Sequence, residues 1–154
     1  MERFFNTAGP IKTDLHYYID PLKRFDLEEV LLLIRQQKYF VLHAPRQTGK
    51  TTCMLALRDY LNERGEYIAV YANVEAGQAY RNNVNEVIGS VCQEIASRCS
   101  DILGDKSPEI LNKKIRSEET GNRLTTFLSE LCKMLGKPMV LFIDEIDALV
   151  GDSL

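Results

Sequence analysis

The residues Ala44-Pro45-Arg46-Gln47-Thr48-Gly49-Lys50-Thr51-Thr52 have the types and spacing that hold phosphate. They match the pattern G-x-x-x-x-G-K-[ST], with alanine in place of the first glycine. A phosphate group carries several negative charges and needs donors on many sides. A tight loop entering a helix turns successive backbone N–H groups toward one point, and the helix dipole adds positive charge there. Gly49 lets the backbone approach without a Cβ in the way. Lys50 brings an ammonium to the β- and γ-phosphates. The Thr51 hydroxyl suits Mg²⁺, which prefers oxygen ligands. Every residue from Ala44 to Thr52 is therefore an expected nucleotide contact. A chance match arises roughly once in a hundred chains of this length. The bland alternative, a glycine-capped turn with a surface lysine, is accordingly the weaker reading.

Asp144 lies 94 residues beyond Lys50 and follows the apolar run Val140-Leu141-Phe142-Ile143. An apolar strand ending in Asp-Glu is the second half of a phosphate-and-metal site. At the carboxyl end of a parallel strand, side chains reach the crevice where ligands bind. Asp144 is expected to hold Mg²⁺ with Thr51, and Glu145 to orient and polarise the attacking water. Lys50 and Glu145 are then the catalytic pair, since phosphoryl transfer asks mainly for positioning and charge. Alone, the acidic pair equally describes a solvated turn; beside the phosphate loop, the chemical reading gains. Asp147 is expected to cap a following helix or to pair with a neighbouring charge. The guanine signature Asn/Thr-Lys-x-Asp is not seen, which favours adenine and hence ATP.

Strands and helices must place these groups. Tyr39–Leu42 reads as a buried strand before the loop, and Gly49–Glu63 as the helix after it, stopped by Gly65. Tyr67–Tyr71 and Met139–Ile143 read as two more strands. The latter is apolar at every position, as in strands covered on both faces. Helices are expected over Leu27–Gln37, capped by Asp26, and over Gln78–Cys99, Pro108–Ser117 and Asn122–Leu135. In the first, Leu32 and Leu33 widen the apolar face, which suits burial on more than one side. Residues 1–25 form an arm that is not helical. Strands alternating with helices give an α/β fold with a mostly parallel sheet.

Composition narrows the choices. The chain has 154 residues, 45% apolar and 27% charged, with 19 basic and 22 acidic residues for a net of −3. That suits one soluble domain and carries no domain-wide basic footprint for nucleic acid. No apolar run approaches the roughly 18 residues of a membrane span, and the start lacks a signal-peptide core. Cys53, Cys92, Cys99 and Cys132 form no C-x-x-C pair. They read as reduced core thiols of a cytoplasmic protein.

The loop, together with Asp144-Glu145-Ile146-Asp147-Ala148-Leu149, resembles AAA+ and related STAND-type P-loop ATPases. Thr7-Ala8-Gly9-Pro10-Ile11 and His16-Tyr17-Tyr18-Ile19-Asp20-Pro21 resemble the lead-in of the prokaryotic AAA-like domain proteins. The resemblance implies a three-layer P-loop NTPase sandwich, incomplete at the C-terminus. Residues 1–25 are the arm, and residues 26–154 the part from Walker A to Walker B. By the same resemblance Tyr17, Tyr18 and Pro21 line the adenine side, or else pack the arm onto the core. Arg46 and Gln47 reach phosphate or water, or remain solvated.

Such domains carry a fourth strand between the Walker A and Walker B strands, a sensor, a helical lid and an arginine finger. None fits after Ala148, so the expectation is a polypeptide that continues past Leu154, or strands that close up or borrow a neighbour. The implied function is Mg²⁺-dependent ATP binding and hydrolysis by a switch or motor, in a homo-oligomer or larger assembly. The alternative is a nucleotide-dependent interaction module with little or no hydrolysis. A small-molecule kinase is a weaker third reading.

Overall fold

The computed structural model describes residues 4, 15–45, 48–80, 83–116 and 120–149. They divide into two compact units, one up to Ala56 and one from Leu57.

In the first unit, the arm is tied by a short parallel bridge. Phe4 N–H donates to Leu15 O at 3.1 Å and Tyr17 N–H to Phe4 O at 3.0 Å. The Phe4 and His16 rings meet edge-on, with centroids 4.9 Å apart. Asp20 accepts from Leu22 N–H and opens a single 3-10 turn, Pro21–Lys23. Helix α1 spans Leu27–Arg35. As expected, Asp26 caps it, accepting from Glu29 N–H at 3.0 Å, with Glu28 and Glu29 in the first turn. Gln37, at φ 55°, ends the helix while Lys38 N–H returns to Leu33 O. Val30 and Ile34 are buried, but Leu32 is 46% exposed, so the helix is covered on one side.

One expectation fails here and another holds. Tyr39–Leu42 is not a strand: no described residue pairs with it, and Tyr39 and Val41 are 104% and 88% exposed. An apolar β-branched run becomes a strand only where a neighbour supplies backbone donors and acceptors. Helix α2 spans Lys50–Arg64, within one residue of the expected helix at each end, and stops before Gly65 as expected.

In the second unit, β1 (Ile68–Asn73) pairs in parallel with β2 (Met139–Asp144), with Asn73 opposite Asp144. The architecture is α/β, rich in helix, with a two-stranded parallel sheet among the described residues. Parallel neighbours need a crossover. Here it consists of a 3-10 segment Glu75–Tyr80 and helices α3 (Val84–Leu103), α4 (Ser107–Ile115) and α5 (Thr120–Leu135). The long helix thus starts later than Gln78, because Asn83 caps it by accepting from Glu86 N–H. Gly104, at φ 72°, closes it.

The core lies between the sheet and α3. Ile68, Val70 and Ala72 of β1 meet Val91, Ile95 and Cys99 of α3, and Ile115, Phe127 and Leu131 close the cluster. The open edge of β1 is covered by a side chain. Asn62 donates to Ala69 O at 2.8 Å and accepts from Ala69 N–H at 2.9 Å, as a neighbouring strand residue would. β2 departs from the expected two-sided burial: Phe142 and Asp144 are buried, while Ile143 is 39% exposed. Only β1 flanks it among the described residues.

The thiols also divide. Cys92 and Cys99 are buried core residues, Cys53 is half-buried and Cys132 is exposed. Burial pushes the Cys99 thiol up to about 12, with nearby Cys132 adding to the shift. Among the described residues no helix is long and apolar enough to cross a membrane.

Candidate functional site

The loop before α2 is closed by its own side chains. Thr48 Oγ1 donates to Pro45 O at 2.7 Å. Gly49 sits at φ 81°, a left-handed conformation that favours glycine. Its carbonyl accepts from Cys53 N–H at 3.0 Å, starting the helical ladder. Lys50, half-buried, is the first helical residue, with Thr51 and Thr52 exposed behind it. The first turn of α2, with its N–H groups and positive dipole end, therefore meets the loop. Arg46 and Gln47 lie outside the described residues.

Arg24 is the loop residue that sequence reasoning missed. Its guanidinium donates to Thr48 O. A Cβ on Gly49 would stand 2.6 Å from Arg24 Nη1. Gly49 is favoured by its φ, and the far end of the flexible Arg24 side chain lies beside it. The contact spans 24 residues of chain, and no local spacing announces it. On the arm, Tyr17 and Tyr18 are 54% and 41% exposed, and Pro21 is buried. The Pro21 carbonyl accepts from Cys53 Sγ at 3.5 Å, which ties the arm to α2.

The acidic pair belongs to the second unit. Asp144 ends β2 and is 8% exposed, so it is not part of a solvated turn. Its Oδ2 accepts from Tyr71 Oη at 2.9 Å, and its Oδ1 from Glu145 N–H at 3.1 Å. Tyr71 was legible as a strand residue but not as a partner of Asp144. Glu145 is exposed and sits at φ 58°. It turns the chain out of the strand into a 3-10 turn, Ile146–Leu149, closed by Ala148 N–H on Glu145 O. Asp147 lies exposed inside that turn and does not cap it. The turn packs against Glu75–Tyr80: a Cβ on Gly77 would meet Leu149 Cδ2 at 2.5 Å.

The structure thus brings Asp144 to Tyr71 in one unit, and Thr48 and Gly49 to Arg24 in the other. Among the described residues no group of three His, Cys, Asp or Glu side chains could hold a metal ion. Mg²⁺ on nucleotide does not need one, since phosphates, water and one or two oxygen ligands complete its shell.

The model of the family described as Nephrocystin 3, N-terminal, matches residues 26–152. The chain belongs to that family. The match opens on Asp26, the cap of α1, and takes in the loop, both strands and the acidic pair. This member of the Nephrocystin 3 N-terminal family matches no curated protein and no solved structure.

Proposed function

We propose that this chain is an ATP-binding domain of AAA-like or STAND type, built as part of a P-loop sandwich and loaded with Mg²⁺. The observation that carries the reading is the loop itself. An A-x-x-x-x-G-K-T sequence enters α2 at Lys50, with Gly49 at φ 81°. That conformation and the helix start suit a phosphate at the helix N-terminus. Lys50 would neutralise phosphate charge, and Thr51 and Asp144 would offer oxygen ligands to Mg²⁺. Bound Mg²⁺ supplies charge neutralisation on the phosphates. Glu145 would orient the water, acting as the general base. The parallel pairing of β1 with β2 supports the reading, since it suits neighbouring strands of a parallel nucleotide-binding sheet.

One observation favours the second reading, a nucleotide-dependent interaction module with little or no hydrolysis. Both carboxylate oxygens of Asp144 already accept hydrogen bonds within the chain. Those bonds give the carboxylate a role in the fold, which a module without hydrolysis also needs, and each oxygen keeps a further acceptor site. Separate measurements of binding and phosphate release decide between the two. Glu145→Gln is expected to leave ATP binding intact and to stop turnover. Unchanged turnover in that variant removes Glu145 from the mechanism.

A further inference from the structure

The second unit contains a cleft of about 630 Å³ bounded by α3, α4 and α5. That volume lies within the range of small-molecule sites. Its walls belong to residues between Ala76 and Arg123, none of them in the loop or the acidic pair.

Three cations line it: Lys113 and Arg116 from the end of α4, and Arg123 from α5. Arg123 lies in a hollow on α3 made by a glycine. A Cβ on Gly89 would stand 3.0 Å from Arg123 Nη1, with Cζ and Nη2 at 3.6 Å. Glycine inside a helix costs stability relative to alanine. At Gly89 it admits the guanidinium against the helix backbone.

Behind the cleft wall lie side-chain atoms that are buried from solvent and, among the described residues, lack a hydrogen-bond partner. Asn112 is 3% exposed; its Nδ2 donates to Gln93 Oε1 at 3.0 Å, and its Oδ1 accepts nothing. Arg123 Nε is also buried without a hydrogen-bond partner. Groups of this kind are costly in a packed core and call for an explanation. Two carboxylates share the wall, Glu86 and Glu94. Glu94 is engaged by Arg98, whose Nε donates to its Oε1 at 2.8 Å. Among the described residues, the balance left facing the cleft is three cations against Glu86.

We propose that this cleft is a second ligand site, for a small molecule bearing a phosphate or diphosphate group. Arginine forks match the geometry of phosphate oxygens and hold them in pairs. Arg123, seated against Gly89, is the anchor. Lys113 and Arg116, both exposed, supply the remaining charge.

The test titrates inorganic pyrophosphate into the full chain carrying Lys50→Ala, followed by calorimetry. That background removes the loop lysine, so binding at the loop and binding at the cleft separate. Saturable binding is expected, weakened by about tenfold or more when Arg123→Met is added. Lys113→Gln with Arg116→Gln, at exposed positions that leave the fold intact, is expected to weaken it similarly. Absence of saturable binding in the Lys50→Ala chain, or an affinity unmoved by the Lys113 and Arg116 changes, overturns the proposal.

Discussion

Tyr71 and Asp144 stand on adjacent parallel strands, and the phenol donates to the carboxylate at 2.9 Å. The bond fixes the direction of the last side chain of β2 from inside the sheet. Asp144 is buried, so its oxygens need donors. Tyr71→Phe is expected to cost about 1 kcal/mol of stability in urea denaturation. It is also expected to change Mg²⁺ dependence if Asp144 serves the metal. A variant as stable as the parent shows that the bond contributes nothing to the fold.

Gly49 and Arg24 form a coupled pair. Gly49→Ala places a Cβ in a left-handed conformation, at a cost of roughly 1–2 kcal/mol. It also brings that Cβ to 2.6 Å from the far end of the flexible Arg24 side chain, which moves aside at a smaller cost. In an Arg24→Ala background the second cost disappears and only the backbone strain remains. Equal destabilisation in both backgrounds would show that the contact does not matter.

Asn62 holds the backbone of Ala69 by both its donor and its acceptor. Asn62→Leu leaves that N–H and C=O without their partner on the edge of β1. The expected loss is about 1–3 kcal/mol, visible as a lower denaturation midpoint. Amide exchange at Ala69 is expected to speed up in the same variant. Unchanged protection at Ala69 contradicts the edge role.

Cys99 and Cys132 separate by pH. The Cys99 proton is held more tightly in the folded chain, because burial pushes its pKa from the ordinary 9.0 up to about 12. Its contribution to stability is therefore complete below pH 9.0 and is lost as pH rises toward about 12. At pH 8, a thiol reagent read by mass spectrometry is expected to label exposed Cys132 and spare Cys99. Equal labelling of the two contradicts the burial of Cys99.

Much of this architecture can be read locally. Asp26 before Glu28 and Glu29 announces the start of α1, and Gly65 the end of α2. The 3.6-residue spacing of Val91, Ile95 and Leu124, Phe127, Leu131 finds the core faces of α3 and α5. Ile68–Asn73 and Met139–Asp144 are found within two residues by their apolar runs. What fails depends on partners far along the chain. Tyr39–Leu42 has strand residues but no strand beside it among the described residues. The loop and acidic pair stand out because the phosphate and metal chemistry proposed for them demands fixed residue types. Arg24, Tyr71 and Arg123 are not, because each acts through a contact made in the fold.

The central claim is that the loop around Lys50 holds the phosphates of ATP. Its most direct test is a calorimetric titration of MgATP into the chain and into Lys50→Ala. Saturable one-site binding is expected in the parent, and a loss of at least about 3 kcal/mol of binding free energy, over a hundredfold in Kd, in the variant. Two folded proteins that bind MgATP equally, or a parent that does not bind it, would contradict the account.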